Sequence, residues 1–237
     1  MGTSHEGVPG YSADGYLHYR CGSNVCLTSD DIDLYGDHMS VIAIIPARGG
    51  SQRIPRKNIK DFYGQPIIAY SIQKAQESGL FDHIVVSTDD DEISMIAEAY
   101  GAKVHRRAPA YGADEVGTQE VVRECLLAMG LGPNDQATHM ACCIYATSPL
   151  MSVEDLRDGY QVLAVNNLVT FVFSVGYPEL RDAGQFYWGR ACDFIDEIPL
   201  INEYTRMIHV ADERICDINT PEDWKRAMKM YARLDDA

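Results

Sequence analysis

From residue 41 onward, short β-branched runs alternate with amphipathic stretches. Val41-Ile42-Ala43-Ile44-Ile45 is an unbroken apolar run of strand length, the pattern of a strand covered on both faces. Residues 66–79 then show helical spacing, with Pro66 at the start and Gly79 at the end. The same reasoning predicts strands over 84–86, 103–105, 140–145, 169–175 and 215–218. It predicts helices over 92–100, 118–129 and 153–165. A last helix opens at Thr220-Pro221-Glu222-Asp223-Trp224, with a capping hydroxyl, proline at the first helical position and acids in the first turn. Strands alternating with helices define an α/β protein with a doubly wound, mainly parallel sheet. In such folds ligands bind beyond the carboxyl ends of the strands, so the residues that follow each strand carry the functional interest.

The first 38 residues lack this pattern. They are rich in Gly, Ser, Asp and Tyr and carry six acids against one arginine. His38-Met39 is what a common cloning site leaves before a start codon, so Met39 is expected as the natural first residue. Residues 1–38 then read as a cloning-derived or disordered extension, and 39–237 as the functional domain.

Composition narrows the partners. The 237 residues carry 20 Lys and Arg against 35 Asp and Glu, a net charge of −15. Phosphate-backbone binding draws on Lys and Arg contacts, so nucleic acid is disfavoured. No apolar run reaches the roughly 18 residues of a membrane span, and no secretory signal opens the chain. The seven cysteines form no zinc spacing. Most lie in apolar runs and read as buried thiols of a cytoplasmic protein, although Cys21 and Cys26 are spaced for a small disulfide loop. No histidine arrangement suggests a metal or a catalytic base.

Against that acidic background, five basic residues fall within the thirteen positions from Arg48 to Lys60, directly after the first strand. Gly49 and Gly50 permit close backbone approach, their amides and the Ser51 hydroxyl offer donors, and Arg48, Arg53 and Lys57 can neutralise a polyphosphate. The segment is neither a Walker loop nor the Gly-x-Gly-x-x-Gly turn of a nicotinamide-dependent dehydrogenase. A solvated basic loop is the structural alternative.

The string Ile44-Ile-Pro-Ala-Arg-Gly-Gly-Ser-Gln-Arg-Ile-Pro-Arg-Lys-Asn58, followed by Gly64-Gln-Pro66, resembles the signature of the acylneuraminate cytidylyltransferases, the CMP–sialic acid synthetases. Further matches are Val85-Val-Ser87-Thr88-Asp89-Asp90, Arg107-Ala-Pro109 with Asp114 and Thr118, and Tyr145-Ala-Thr147-Ser-Pro149. Asp182-Ala-Gly-Gln185-Phe-Tyr187-Trp-Gly189 and Asp217-Ile-Asn219-Thr-Pro-Glu-Asp-Trp224 complete a collinear set over roughly 41–232. Tyr145-Ala146 in place of the usual Gln-Pro, together with Asp-Ala-Gly-Gln-Phe-Tyr-Trp, is most similar to the pseudaminic acid branch.

The resemblance implies a Rossmann-like nucleotidyltransferase that joins CTP to a nine-carbon sugar acid with Mg²⁺ and releases pyrophosphate. It places Arg48, Gly49, Gly50, Ser51, Lys57, Asn58, Ser87, Asp89 and Arg107 at the nucleotide, with Arg48, Lys57 and Asp217 in catalysis. Tyr145, Thr147, Gln185 and Tyr187 are the candidates for the sugar acid, while Phe186 and Trp188 alternate with the latter pair as core. Asp217 and Asn219 are the metal candidates. The family has a second aspartate where this chain has Asn219, which lowers the negative charge offered to a metal. Three of these positions have a structural alternative: Ser87 as a cap of the next helix, Asp90 as its first-turn acid, and Asp217 as a turn residue before Thr220. A homodimer is implied, with 166–210 as a dimerisation and sugar-binding segment. Only residues 176–181 separate the strand ending at Val175 from Asp182, where the family has a long stretch, and residues are expected to be missing there. Alternatives are CMP-N-acetylneuraminate synthesis and CTP binding without turnover.

Overall fold

The computed structural model describes residues 39–108, 111, 116–132, 139–178 and 180–235. The segment 1–38 with Cys21 and Cys26 lies outside the described residues, as do Pro109 and Asp114 of the third motif.

Strand β1 (Val41–Pro46) lies at the middle of the sheet and its apolar run is fully covered, as its sequence requires. On one side it pairs in parallel with β4 (His83–Thr88), which pairs with β5 (Lys103–Arg106). On the other it pairs in parallel with β6 (Met140–Ile144). Beyond β6 runs β8 (Asp182–Arg190), antiparallel to both β6 and β7 (Phe171–Val175), and β9 (Arg206–His209) closes the edge parallel to β7. The strand order is therefore β5-β4-β1-β6-β8-β7-β9, with a separate small hairpin of β2 (Asp61–Phe62) and β3 (Gln65–Pro66). The expected mainly parallel, doubly wound α/β sheet is observed, with β8 as the antiparallel member.

Alternation along β1 sends Ala43 and Ile45 to one face and Ile42 and Ile44 to the other. The first face is covered by α1 (Ile67–Ser78), α2 (Asp91–Ala99) and α4 (Val153–Ala164), through Ile68, Ile72, Ala97, Leu156 and Leu163. The second is covered by α3 (Thr118–Ala128) and the short α5 (Ala191–Ile195), through Val122, Cys125, Leu126 and Phe194. The C-terminal α6 (Pro221–Asp235) builds a third cluster, in which Trp224 and Phe62 meet edge to face with Ile54, Cys216 and Ile218 around them. Thr220 caps this helix as expected. Its hydroxyl accepts from the Asp223 amide at 3.2 Å and the Asp223 carboxylate accepts from the Thr220 amide at 2.9 Å. Asp90 proves to be the cap of α2, accepting from the Ile93 amide at 3.0 Å.

One expectation needs correction. Residues 215–218 form no ladder. The alternation of Cys216 and Ile218 is satisfied by packing on Trp224, while the Ile218 carbonyl accepts from Lys57 Nζ at 2.7 Å. Residues 166–210, expected as a dimerisation and sugar-binding segment, supply three of the seven sheet strands, with Phe186 and Trp188 fully buried as expected. Strand β9 escaped notice because its residues are mostly exposed and show no apolar alternation. Val175 lies opposite Asp182, and the Gly176 amide donates to the Arg181 carbonyl at 2.9 Å.

Candidate active site

The loop after β1 starts where the strand order changes direction, since β4 and β6 flank β1 on opposite sides. Its path is fixed by polar contacts. The Ala47 amide donates to the Ser87 carbonyl at 2.9 Å, and Asn58 donates from Nδ2 to the Arg48 carbonyl at 2.9 Å. Arg56 takes a left-handed conformation (φ 54°), and its guanidinium grips Asp90 at 2.5 and 3.0 Å and also contacts Glu92. Lys60 lies over the Trp224 ring, 5.0 Å from its centre. The five clustered cations are thus sorted: Arg56 and Lys60 hold the loop to its surroundings, whereas Arg48, Arg53 and Lys57 line a cleft of about 270 Å³.

The two glycines differ. A Cβ on Gly49 would lie 2.5 Å from Asp90 Oδ2, so the protein itself demands glycine there. A Cβ on Gly50 would meet nothing within 4 Å. Packing therefore leaves Gly50 unexplained, as expected where a ligand approaches the backbone. The Gly49 amide donates to Asp89 Oδ1 at 3.0 Å, which holds Asp89 at the lip.

The cleft is cationic at its base. Burial pushes the Lys57 ammonium below its ordinary range; Asp217 opposes that shift, and Arg53 and Arg48 add to it. Burial also lowers Arg107, whose Nε donates to Ser87 Oγ at 3.1 Å and Nη2 to the Ser87 carbonyl at 2.8 Å. Buried, crowded cations of this kind are stabilised by an incoming anion.

Of the residues singled out in the sequence, Arg48, Ser51, Lys57, Asn58, Arg107, Tyr145, Thr147 and Asn219 line this one cleft. Asp217 is exposed beside it. Three candidates lie elsewhere. Ser87 is 0% exposed inside β4, so it supports Arg107 rather than facing the cleft. Gln185 is 3% exposed and donates its amide to the Arg214 carbonyl at 2.7 Å. Tyr187 lies behind Tyr145, ring centres 6.0 Å apart, and donates its hydroxyl to Asp182. Thr118 had been noticed only within a motif; the start of α3 brings its hydroxyl 3.5 Å from that of Tyr145. These two also border a second recess of about 410 Å³ that Glu120, Glu197 and Leu200 help to line. No sequence signal marked the last three, because the fold alone brings the chain after α5 against α3.

The metal candidates separate as well. Asn219 turns Nδ2 to Asp217 Oδ2 at 2.5 Å, and its Oδ1 accepts from Arg53 Nη2 at 3.4 Å. Its amide nitrogen thus holds Asp217 while its amide oxygen meets Arg53. Among the described residues no group of three or more His, Cys, Asp or Glu could hold a metal ion. Asp217 supplies a carboxylate beside the cleft, which suits a divalent ion carried on substrate phosphates with water completing its shell.

A doubly wound sheet that gathers cations and donors around its first crossover loop defines a nucleotide-binding α/β enzyme. The cytidylyltransferase family model matches residues 42–179, and the chain belongs to that family of nucleotidyltransferases. Pseudaminic acid cytidylyltransferase of Campylobacter jejuni is 32% identical over 226 residues, covering 81% of this chain and 97% of that protein. Since 81% of 237 is about 192, some 34 of the 226 aligned positions have no counterpart here. N-acylneuraminate cytidylyltransferase of Oncorhynchus mykiss is 36% identical over 140 residues, 59% of this chain and 31% of that protein. Among solved structures, CMP:2-keto-3-deoxy-manno-octonic acid synthetase complexed with CTP shares the fold, with a TM-score of 0.64 and 16% identity over 82% of this chain and 99% of that one. A Mycobacterium tuberculosis H37Rv protein in complex with manganese also shares it, with a TM-score of 0.55 and 12% identity over 81% and 99%.

Proposed function

We propose that the enzyme transfers the cytidylyl group of CTP to a nine-carbon sugar acid, pseudaminic acid being favoured, and releases pyrophosphate. The observation that carries the reading is the convergence of Arg48, Arg53, Lys57 and Arg107 on one cleft in a chain of net charge −15. The favoured sugar rests on the C. jejuni relative, whose likeness spans nearly its whole length.

In this reading the triphosphate lies along the loop after β1. The Gly50 amide and the Ser51 hydroxyl donate to it, and Arg48, Arg53 and Lys57 balance its charge. The anomeric hydroxyl of the sugar acid attacks the α-phosphorus, the bond to pyrophosphate breaks, and the hydroxyl proton leaves to solvent. Charge grows on the departing pyrophosphate, so cations already held in place lower the barrier mainly by electrostatics and alignment. Asp217 would hold Mg²⁺, which supplies further charge neutralisation at the phosphates. Tyr145, Thr147 and Thr118 face the sugar acid, which reaches into the recess beside α3.

A homodimer is supported by exposed Leu168, Ile201, Tyr204 and Met207 around the β9 edge. A cytoplasmic setting is supported by five free thiols among the described residues, of which four are buried; no helix among those residues is long and apolar enough to cross a membrane.

The deciding experiment measures pyrophosphate release from CTP and Mg²⁺ with pseudaminic acid, N-acetylneuraminic acid or no sugar. Release with pseudaminic acid alone is expected. Release with N-acetylneuraminic acid alone would overturn the sugar assignment, and silence from a protein that still binds CTP would leave a nucleotide-binding protein without turnover.

A further inference from the structure

A polar chain crosses the face of the sheet beneath α3. His105 on β5 is 4% exposed, and its Nδ1 lies 3.2 Å from Ser87 Oγ while its Nε2 lies 3.4 Å from Glu124 Oε1 on α3. Glu124 Oε1 is also 3.5 Å from the Ala108 amide, and Oε2 is buried with no hydrogen-bond partner. The Cys125 thiol also meets His105, and around this chain the face is apolar, with Val85, Val122 and Leu126 completely covered. Buried polar groups carry a desolvation cost that aliphatic side chains would avoid, so packing alone does not account for them.

The chain ends on Arg107. Its Nε can only donate, so Ser87 Oγ accepts from it, and the Ser87 carbonyl takes Nη2. Two acceptors on one residue fix the plane of the guanidinium that borders the cleft. Ser87 Oγ is in turn fixed by His105, whether the imidazole accepts the serine proton or donates its own. Glu124, with the Cys125 thiol beside it, then sets the ring. The arrangement has the order of a Ser-His-Glu triad, but Ser87 is sealed from the cleft, so it orients a cation and attacks nothing.

We propose that Glu124 and His105 are positioning residues for nucleotide binding, setting the Arg107 guanidinium through the hydroxyl of Ser87. The proposal rests on the reading of the cleft as a CTP site. Calorimetric CTP affinity in a double-mutant cycle tests it, using His105→Gln, Arg107→Ala and their combination, with Glu124→Gln as a shape-conserving second probe and the melting temperature recorded for each. His105→Gln and Glu124→Gln are each expected to weaken CTP binding about five- to tenfold, which is about 1–1.4 kcal/mol. In the Arg107→Ala background, His105→Gln should weaken it no further. Equal losses in both backgrounds, or unchanged affinity in both single variants, would overturn the proposal. Failure of the unaltered protein to bind CTP would instead overturn the nucleotide reading itself.

Discussion

Gly49 and Gly50 are adjacent, yet the structure gives them opposite reasons to be glycine, and alanine at each position separates fold from function. A Cβ on Gly49 lies 2.5 Å from Asp90 Oδ2, and an ordinary contact begins at 3.4 Å, so Asp90 must retreat by about 0.9 Å (3.4 − 2.5). That shift would stretch its 3.0 Å bond to the Ile93 amide beyond hydrogen-bonding range and loosen its grip on Arg56. Losing a helix cap costs about 1 kcal/mol, and a partly exposed ion pair adds about 0.5 kcal/mol. For a domain of this size, about 1.5 kcal/mol lowers the melting temperature by roughly 3–6 °C. Gly50 is exposed, with open space where its Cβ would lie, so Gly50→Ala should melt within about 1 °C of the unaltered protein. Its effect should fall on the ligand: CTP affinity drops about tenfold, or about 1.4 kcal/mol, because a methyl group holds the triphosphate off the Gly50 amide. Differential scanning fluorimetry and titration calorimetry on the two variants read both quantities. Undiminished CTP affinity in Gly50→Ala would refute the loop as a phosphate cradle, and an unshifted melting temperature in Gly49→Ala would refute the steric argument.

Two further predictions concern charge. Asn219→Asp removes the amide that donates to Asp217 and puts a second carboxylate beside it, so the Mg²⁺ concentration that half-saturates pyrophosphate release should fall several-fold; an unchanged Mg²⁺ titration would dissociate Asn219 from the metal. The Arg56 guanidinium holds the Asp90 carboxyl below its ordinary range, so the pair contributes stability that is present above about pH 4 and lost as pH falls through the depressed value. The melting temperature of the unaltered protein should therefore drop more steeply below pH 4 than that of Arg56→Gln, and parallel curves would refute the coupling.

Much of this site was legible because it is local in sequence. Arg48, Ser51, Lys57 and Asn58 lie on one loop after a strand whose burial β-branched residues announce, so their convergence needed no tertiary information. Arg48, Arg53 and Lys57 were singled out among the five cations and line the cleft, but why Arg56 turns away was not legible, because that depends on Asp90 and Glu92 of α2 capturing it. Ser87 misled for a related reason: its motif lies at the correct strand end, but a strand covered on both faces turns that hydroxyl inward. Gln185 and Tyr187 read as sugar contacts from their side-chain chemistry, yet the Gln185 amide nitrogen donates to the distant Arg214 carbonyl and the Tyr187 hydroxyl to Asp182. The Ile215–Ile218 pattern is a genuine alternation whose partner is a helix, and alternation alone does not distinguish a helix from a neighbouring strand. Glu120, Glu197 and Leu200 meet only through the fold.

The anchoring of the loop by Arg56 and Asn58 bears on the entropy of nucleotide capture. Immobilising a flexible backbone costs about 1–2 kcal/mol per residue, a sum that a loop ordered only by its ligand must draw from the binding energy. Here Asp90, Glu92 and the Asn58 bond to Arg48 impose the loop path during folding. The cleft therefore meets CTP with its conformational entropy already spent, and more of the Coulombic attraction to the triphosphate is available as affinity and as alignment for reaction.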